Sequence, residues 1–121
     1  MVKYERTVTG IGSLLEEFVS AGVLVFFGEG APDELAEVAV VHKGSPMRGE
    51  IAPGDVVVLG ETHLKVLAVG PVANSNLSNL GHLVLKASGE TEVELPGDVC
   101  VEAQPLPNVD VGMRFAILGG K

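Results

Sequence analysis

Few cysteines, few aromatic residues and no long apolar run characterise this sequence. The single cysteine, Cys100, excludes a disulfide within the chain and is typical of a reducing compartment, so we expect a cytoplasmic protein. The longest apolar stretches, such as residues 22–28, fall far short of the ~18 residues that a membrane-spanning helix needs. The first ten residues, MVKYERTVTG, are charged and alternating, unlike a signal or transit peptide.

Basic residues are also scarce. Eight lysines and arginines face sixteen aspartates and glutamates, which gives a formal net charge of −8. Nucleic-acid binding depends on the neutralisation of phosphates by basic side chains, so this balance argues against DNA or RNA as a partner. An acidic surface would instead attract a protein partner whose docking face is basic.

Common catalytic motifs are missing too. There is no Gly-x-Ser-x-Gly nucleophile elbow, and the glycines form neither a phosphate loop nor a dinucleotide fingerprint. Cys100 lies within the apolar stretch DVCVEA, where a buried, unreactive thiol is expected. The histidines include no His-x-x-x-His pair, so a metal-dependent enzyme would need a site built from His42, His82 and a carboxylate brought together by folding.

The chain does contain a series of short apolar segments separated by turns. Its 121 residues fit one domain, so we expect residues 1–121 to form a single domain. Segments with the composition or alternation of strands are VKYERTVTGI, GVLVFFG, VAVVH, DVVVLG, HLKVLAVG, HLVLKA, DVCVEA and RFAIL. In the first segment, Val2, Tyr4, Arg6 and Val8 share one side. About eight short strands at this spacing indicate a β-barrel or a β-sandwich.

Three further segments predict short helices that cap the β-structure. In SLLEEFVSAG, Ser13 is a candidate N-cap and Gly22 ends the helix. The apolar residues that share one face of this helix are Leu14, Leu15, Phe18 and Val19. APDELAEVA has acidic residues suited to a first turn. VANSNLSNLGH predicts two turns, with Leu77 and Leu80 inward and Gly81 as the C-cap.

The residues best suited to chemistry follow the apolar run 38–41. That run leads His42 into a loop, HKGSPMRGEIAPGD. An imidazole has a pKa of about 6.5, so it is mostly neutral at cellular pH and carries a nucleophilic nitrogen. Attack on a phosphoryl group would give a phosphohistidine. The alternative is a strand-end histidine beside an ordinary polar loop.

The loop also offers groups that could hold a phosphoryl group. The backbone at Gly44 could present N–H groups, the Ser45 hydroxyl could donate a hydrogen bond, and Lys43 or Arg48 could add positive charge. His82 could hold or polarise the same group. We therefore predict His42 as the phosphoryl acceptor, supported by His82, Gly44, Ser45 and Arg48.

Four stretches, taken in order, resemble a known family. They are EGAPDEL at 29–35, VVHKGSPMRGEIAPGD at 40–55, VLAVGPVANSNLSNLGHLVLK at 66–86 and ELPGDVCVE at 94–102. Each is weakly specific alone, but their order and spacing are similar to the glucitol/sorbitol-specific enzyme IIA component of the bacterial phosphoenolpyruvate-dependent sugar phosphotransferase system. The similarity runs nearly end to end.

The resemblance implies a small β-barrel that acts as a cytoplasmic phosphoryl carrier without a cofactor. The phosphorylated histidine of the family corresponds to His42, and His82 corresponds to a second family histidine. The donor would be the small histidine-phosphorylated carrier protein, and the acceptor would be the IIB domain of the membrane permease that takes up the sugar.

Three hypotheses follow: a phosphoryl carrier, a non-catalytic β-barrel that binds a ligand or regulates, and a small metal enzyme. A phosphoryl acceptor must be reachable, so the first predicts a partly exposed His42 ring with Met47 and Val41 around it as a docking surface. A fully buried ring would favour an ordinary strand-end histidine. Exposed strand edges must be paired or covered, which makes a homodimer a further expectation.

Overall fold

The computed structural model describes residues 1–120, which form eight strands and three short helices. The strands are β1 (Val2–Ile11), β2 (Val23–Gly28), β3 (Ala39–Gly44), β4 (Val56–Leu59), β5 (Thr62–Val69), β6 (Leu83–Lys86), β7 (Asp98–Val101) and β8 (Arg114–Leu118). The helices are α1 (Leu15–Val19), α2 (Asp33–Ala36) and α3 (Ala73–Leu80). None of these three helices is long and apolar enough to cross a membrane.

The strands close into a barrel in the order β1-β3-β2-β6-β7-β5-β4-β8. Two neighbouring pairs, β2 with β3 and β6 with β7, are parallel. The other six pairs are antiparallel. The predicted mainly β barrel with three short helices is therefore confirmed. Because a closed barrel has no free sheet edge, the reason for expecting a homodimer no longer applies.

Alternation along the strands fills the barrel with apolar side chains. The rings of Phe26 and Phe115 stack at its centre with their centroids 4.3 Å apart, and both side chains are fully buried. Burying one such side chain contributes about 1.5–3 kcal/mol. Cys100 is buried in β7, as predicted, and burial raises the pKa of its thiol. It is thus part of the core, and its thiolate is disfavoured.

The first helix begins later than predicted. Leu14 is its N-cap and makes no side-chain capping hydrogen bond, so the prediction that Ser13 caps the helix is wrong. Leu15 is buried and Val19 packs against the core, but Leu14 and Phe18 are exposed. A helix of five residues presents only one or two side chains to the barrel, which is why the predicted four-residue apolar face is only half buried.

The third helix ends as predicted and packs differently. Gly81 is its C-cap in the left-handed conformation, with φ of 65°. Ala73 and Leu77, four residues apart, face the barrel and are buried. Leu80 is 57% exposed, so the expectation that it points inward is wrong. At this end of the helix the close approach to β2 is made by backbone, because the Leu80 carbonyl and Gly81 both lie against Gly28.

Two polar side chains fix the long loop between β3 and β4. Asp55 accepts hydrogen bonds from the N–H groups of Ala52 and Gly120 and pairs with Lys3 at 2.7 Å, so the APGD turn is held from inside. Asn74 of α3 exchanges two hydrogen bonds with the backbone of Ile51. These contacts hold the loop and α3 together at the end of the barrel where β3 terminates.

Candidate functional site

His42 lies inside the barrel rather than in the loop. Strand β3 continues to Gly44, so the His42 side chain shares the inward face with Val40, and both are 0% exposed. The ring is surrounded by those of Tyr4, Phe26 and Phe115, whose centroids lie 5.0–6.1 Å away in edge-to-face arrangements. The expectation of a partly exposed ring is therefore wrong.

Both ring nitrogens of His42 are engaged. Nε of Arg6 donates a hydrogen bond to Nδ1 at 3.0 Å, and Nε2 lies 2.8 Å from the carbonyl oxygen of Gly81. A guanidinium can only donate and a carbonyl can only accept. The ring is therefore neutral, with its proton on Nε2 and its lone pair on Nδ1.

Burial favours the same neutral form. The pKa of His42 is lowered to about 4: desolvation is the main cause, the positive charge of Arg6 acts in the same direction, and the hydrogen bond to the Gly81 carbonyl opposes both. At neutral pH the ring is therefore an uncharged imidazole, which is the form that can act as a nucleophile.

This shift predicts a pH-dependent stability. The unfolded chain protonates His42 near pH 6.5 and the folded chain near pH 4, so the unfolded state binds more protons between these values. The stabilisation is complete above pH 6.5 and is lost as the pH falls. We expect His42 alone to lower the free energy of unfolding by about 3 kcal/mol between pH 7 and pH 4.

Urea unfolding at a series of pH values measures this effect. His42→Gln should remove that part of the pH dependence, and His63→Gln, at an exposed position on β5, should keep it. Equal pH dependence in the wild type and in His42→Gln would contradict the prediction.

A surface cavity of about 380 Å³ lies directly behind the two hydrogen-bond partners of His42. Its wall includes Arg6 and Gly81, the residues bonded to the ring, together with residues 28–30 and Lys43. Met47, predicted as part of a docking surface, is half-buried and also lines this cavity, whereas Val41 does not. His42 is not part of the wall, but three residues in contact with its ring, Arg6, Gly81 and Tyr4, are.

Arg6 is a site residue that was not predicted. It projects from the same face of β1 as the buried Tyr4 and Val8, and its guanidinium lies 5.0 Å from the centre of the Tyr4 ring. It also donates to the carbonyl oxygen of Ser45 at 2.9 Å. The alternation of β1 already placed it on the same side as Val2, Tyr4 and Val8, and a charged residue among apolar neighbours was the available signal.

The ring of His82 does not contact His42, and the contact is made by the preceding residue in the chain. The residue before it, Gly81, provides the carbonyl that binds His42. The His82 ring stacks on Phe27 with centroids 4.2 Å apart, and its Nδ1 lies 3.2 Å from the carbonyl oxygen of Phe26. The LGH segment thus lies next to His42, and its glycine makes the contact.

The other predicted supporting residues occupy different positions. Gly44 lines the cavity and pairs with Arg6 across β3 and β1. Ser45 contributes its carbonyl oxygen to Arg6, and the exposed Arg48 is not part of the cavity wall. Among residues 1–120, no group of three or more His, Cys, Asp or Glu side chains is arranged to hold a metal ion.

Comparisons with known proteins give a consistent result. A family model described as "PTS system glucitol/sorbitol-specific IIA component" matches residues 3–116. Proteins of Shigella flexneri and Escherichia coli (strain K12), each named "PTS system glucitol/sorbitol-specific EIIA component", are 40% identical over 107 residues, which is 88% of this chain and 86% of theirs.

A solved structure has the same fold. The crystal structure of a PTS system IIA component from Enterococcus faecalis V583 superposes with a TM-score of 0.85 and 28% sequence identity, covering 94% of this chain and 98% of that one. With a family model over residues 3–116 and relatives at 40% identity, the chain belongs to the family of glucitol/sorbitol-specific IIA components of the sugar phosphotransferase system.

Proposed function

We propose that this chain is a cytoplasmic phosphoryl carrier in which His42 accepts the phosphoryl group. The donor is the histidine-phosphorylated carrier protein of the system, and the acceptor is the IIB domain of the membrane permease that imports the sugar alcohol. The observation that carries the proposal is a neutral histidine directly behind a cavity whose wall holds an arginine, in a chain of this family.

The chemistry of His42 fits this role. With a pKa of about 4 the ring is uncharged at neutral pH and has one nitrogen lone pair for attack on phosphorus. Phosphoryl transfer depends mainly on placement and on the stabilisation of charge. Arg6 and Lys43 supply positive charge at the cavity, whose wall also includes Gly28, Glu29 and Gly30.

Of the supporting residues, Gly44 is proposed to border the phosphoryl group, because it lines the cavity beside Arg6. Ser45 is proposed to act through its carbonyl, which holds the guanidinium. His82 and Arg48 stay predictions: the His82 ring packs on Phe27, and Arg48 is exposed away from the cavity.

Mapping of the phosphate tests the proposal. The chain is incubated with phosphoenolpyruvate, the first enzyme of the system and its carrier protein, then digested at alkaline pH and sequenced by tandem mass spectrometry. We expect one phosphate, stable to base and labile to acid, on the peptide that contains His42. A phosphate on His82 instead would overturn the assignment of the acceptor.

The full burial of His42 favours a second candidate, a non-catalytic β-barrel that binds a ligand or regulates. This candidate predicts no covalent phosphate when the carrier protein itself is shown to be phosphorylated. It also predicts a thermal shift with a small ligand. A phosphorylated chain excludes it as the sole function.

A further inference from the structure

Arg6 has no carboxylate to balance its charge. Within residues 1–120, no Asp or Glu oxygen lies within 4.0 Å of its guanidinium, although the chain has sixteen acidic residues. Its partners are all neutral: Nδ1 of His42, the Ser45 carbonyl and the face of Tyr4. Arg114 on the adjacent strand differs, since it forms a bidentate ion pair with Glu5.

A half-buried guanidinium without a counter-ion, at the wall of a cavity, is suited to an incoming anion. Its planar fork of N–H donors matches the oxygens of a phosphoryl group. Lys43, which lines the same cavity, is exposed and carries its charge on a flexible four-carbon stem. Arg6 is therefore the cation that is already placed beside the ring of His42.

The resting hydrogen bonds also block the reaction. If Nδ1 attacks phosphorus, the Arg6 N–H that now occupies it has to leave. If Nε2 attacks, the ring proton must first move to Nδ1, and a protonated Nδ1 cannot face the N–H of Arg6. By either route, Arg6 must leave Nδ1 before His42 can be phosphorylated.

We propose that Arg6 is the positioning residue of phosphoryl transfer: it fixes the resting tautomer of His42 through Nδ1, then leaves that nitrogen and pairs with the oxygens of the arriving phosphoryl group. This inference rests on the proposed function and deepens it, because it assigns a second residue to the same site. The arginine needs only a rotation of its side chain, since it already borders both the ring and the cavity.

The step balances without a further reactant. The bond between phosphorus and the donor nitrogen breaks, and its electron pair stays on that nitrogen. A new bond forms between phosphorus and a nitrogen of His42. The donor ring, protonated on its other nitrogen, leaves as neutral imidazole, while His42 keeps its proton on the unphosphorylated nitrogen and becomes an imidazolium. Once it has left Nδ1, Arg6 pairs with the doubly negative phosphoryl group. It therefore does not point at the imidazolium cation of His42.

Nitrogen-15 NMR of the wild type tests the movement directly. Before phosphorylation, we expect the His42 spectrum to show a proton on Nε2 and none on Nδ1. Phosphorylation by the carrier protein should shift the Nε–H signal of Arg6, while the same signal of Arg114 stays in place. An Arg6 signal that is unchanged in the phosphorylated chain would overturn the proposal, and this measurement needs no variant.

Variants test the consequence for the rate. Arg6→Met keeps an unbranched side chain and removes the charge and the donors, so phosphorylation from the carrier protein should slow by at least about tenfold. Arg6→Lys restores the charge and should recover most of this loss, which a purely structural role of the guanidinium fork would not allow. Arg114→Gln, the matched control, should keep the wild-type rate.

The outcomes separate this inference from the proposed function. A wild type that the carrier protein cannot phosphorylate overturns both. A phosphorylated wild type, together with a folded Arg6→Met variant of the same rate, overturns the role of Arg6 and leaves the carrier function standing. If Arg6→Met does not fold, the wild-type spectra carry the test: an Arg6 signal that is unchanged on phosphorylation overturns the role of Arg6. A rate of Arg6→Lys close to that of the wild type then supports the role.

Discussion

Replacing His42 with glutamine is expected to abolish phosphorylation of the chain by the carrier protein. A carboxamide has no nitrogen that attacks phosphorus, so the rate should fall below detection, by at least about 10³-fold. Glutamine can still accept from Arg6 and donate to the Gly81 carbonyl, the two bonds that the histidine makes. The loss should therefore occur in a folded barrel. Intact mass after incubation measures it, and thermal unfolding confirms the fold.

Two matched variants keep this test specific. His63 projects from β5, which lies opposite β3 in the closed order of strands, and it is exposed. His63→Gln should accept one phosphate at the wild-type rate. His82→Gln should still accept a phosphate, because the His82 ring packs on Phe27 and its neighbour Gly81 provides the contact with His42. A phosphate that persists in His42→Gln would contradict the assignment.

Much of the fold was predictable because the composition and alternation of each short segment already indicate a strand. Strand β1 has the predicted bounds, Val2–Ile11, and its buried residues Tyr4 and Val8 lie on the side that alternation predicted to share one face. The choice between barrel and sandwich could not be made from alternation, because alternation gives the face of a side chain and not its partner strand. The parallel contact of β2 with β3 and the closure between β1 and β8 depend on distant segments.

The site was predicted less well than the fold, for a local reason. Lys43 and Gly44 are residue types typical of loops, so β3 was predicted to end at His42. The strand instead continues to Gly44, and the His42 ring points inward beside Val40. Arg6 was placed correctly on the side of β1 that carries Tyr4 and Val8. Its role depends on the strand register that places Arg6 opposite Gly44. Neither segment alone predicts this pairing.

Gly81→Ala is expected to destabilise the barrel by about 4 kcal/mol, through a backbone strain of about 1 kcal/mol and a steric clash of up to about 3. Gly81 has φ of 65°, which disfavours any residue with a Cβ. An added Cβ would lie 2.6 Å from the backbone nitrogen of Gly28 and 3.1 Å from Cε1 of His42. Neither neighbour can yield easily, since one is strand backbone and the other is held by two hydrogen bonds.

Gly30→Ala is the control that separates the cost of backbone strain at a positive φ from the cost of the steric clash at Gly81. Gly30 also has a positive φ, 96°, but a Cβ there would meet nothing within 4 Å, so only about 1 kcal/mol should be lost. Urea unfolding of both variants measures the difference, which should be about 3 kcal/mol. Equal losses would mean that the α3 terminus moves away from β2 at little cost. In that case the Gly81 carbonyl could also leave Nε2 easily, and Arg6 alone would hold His42 in its resting tautomer.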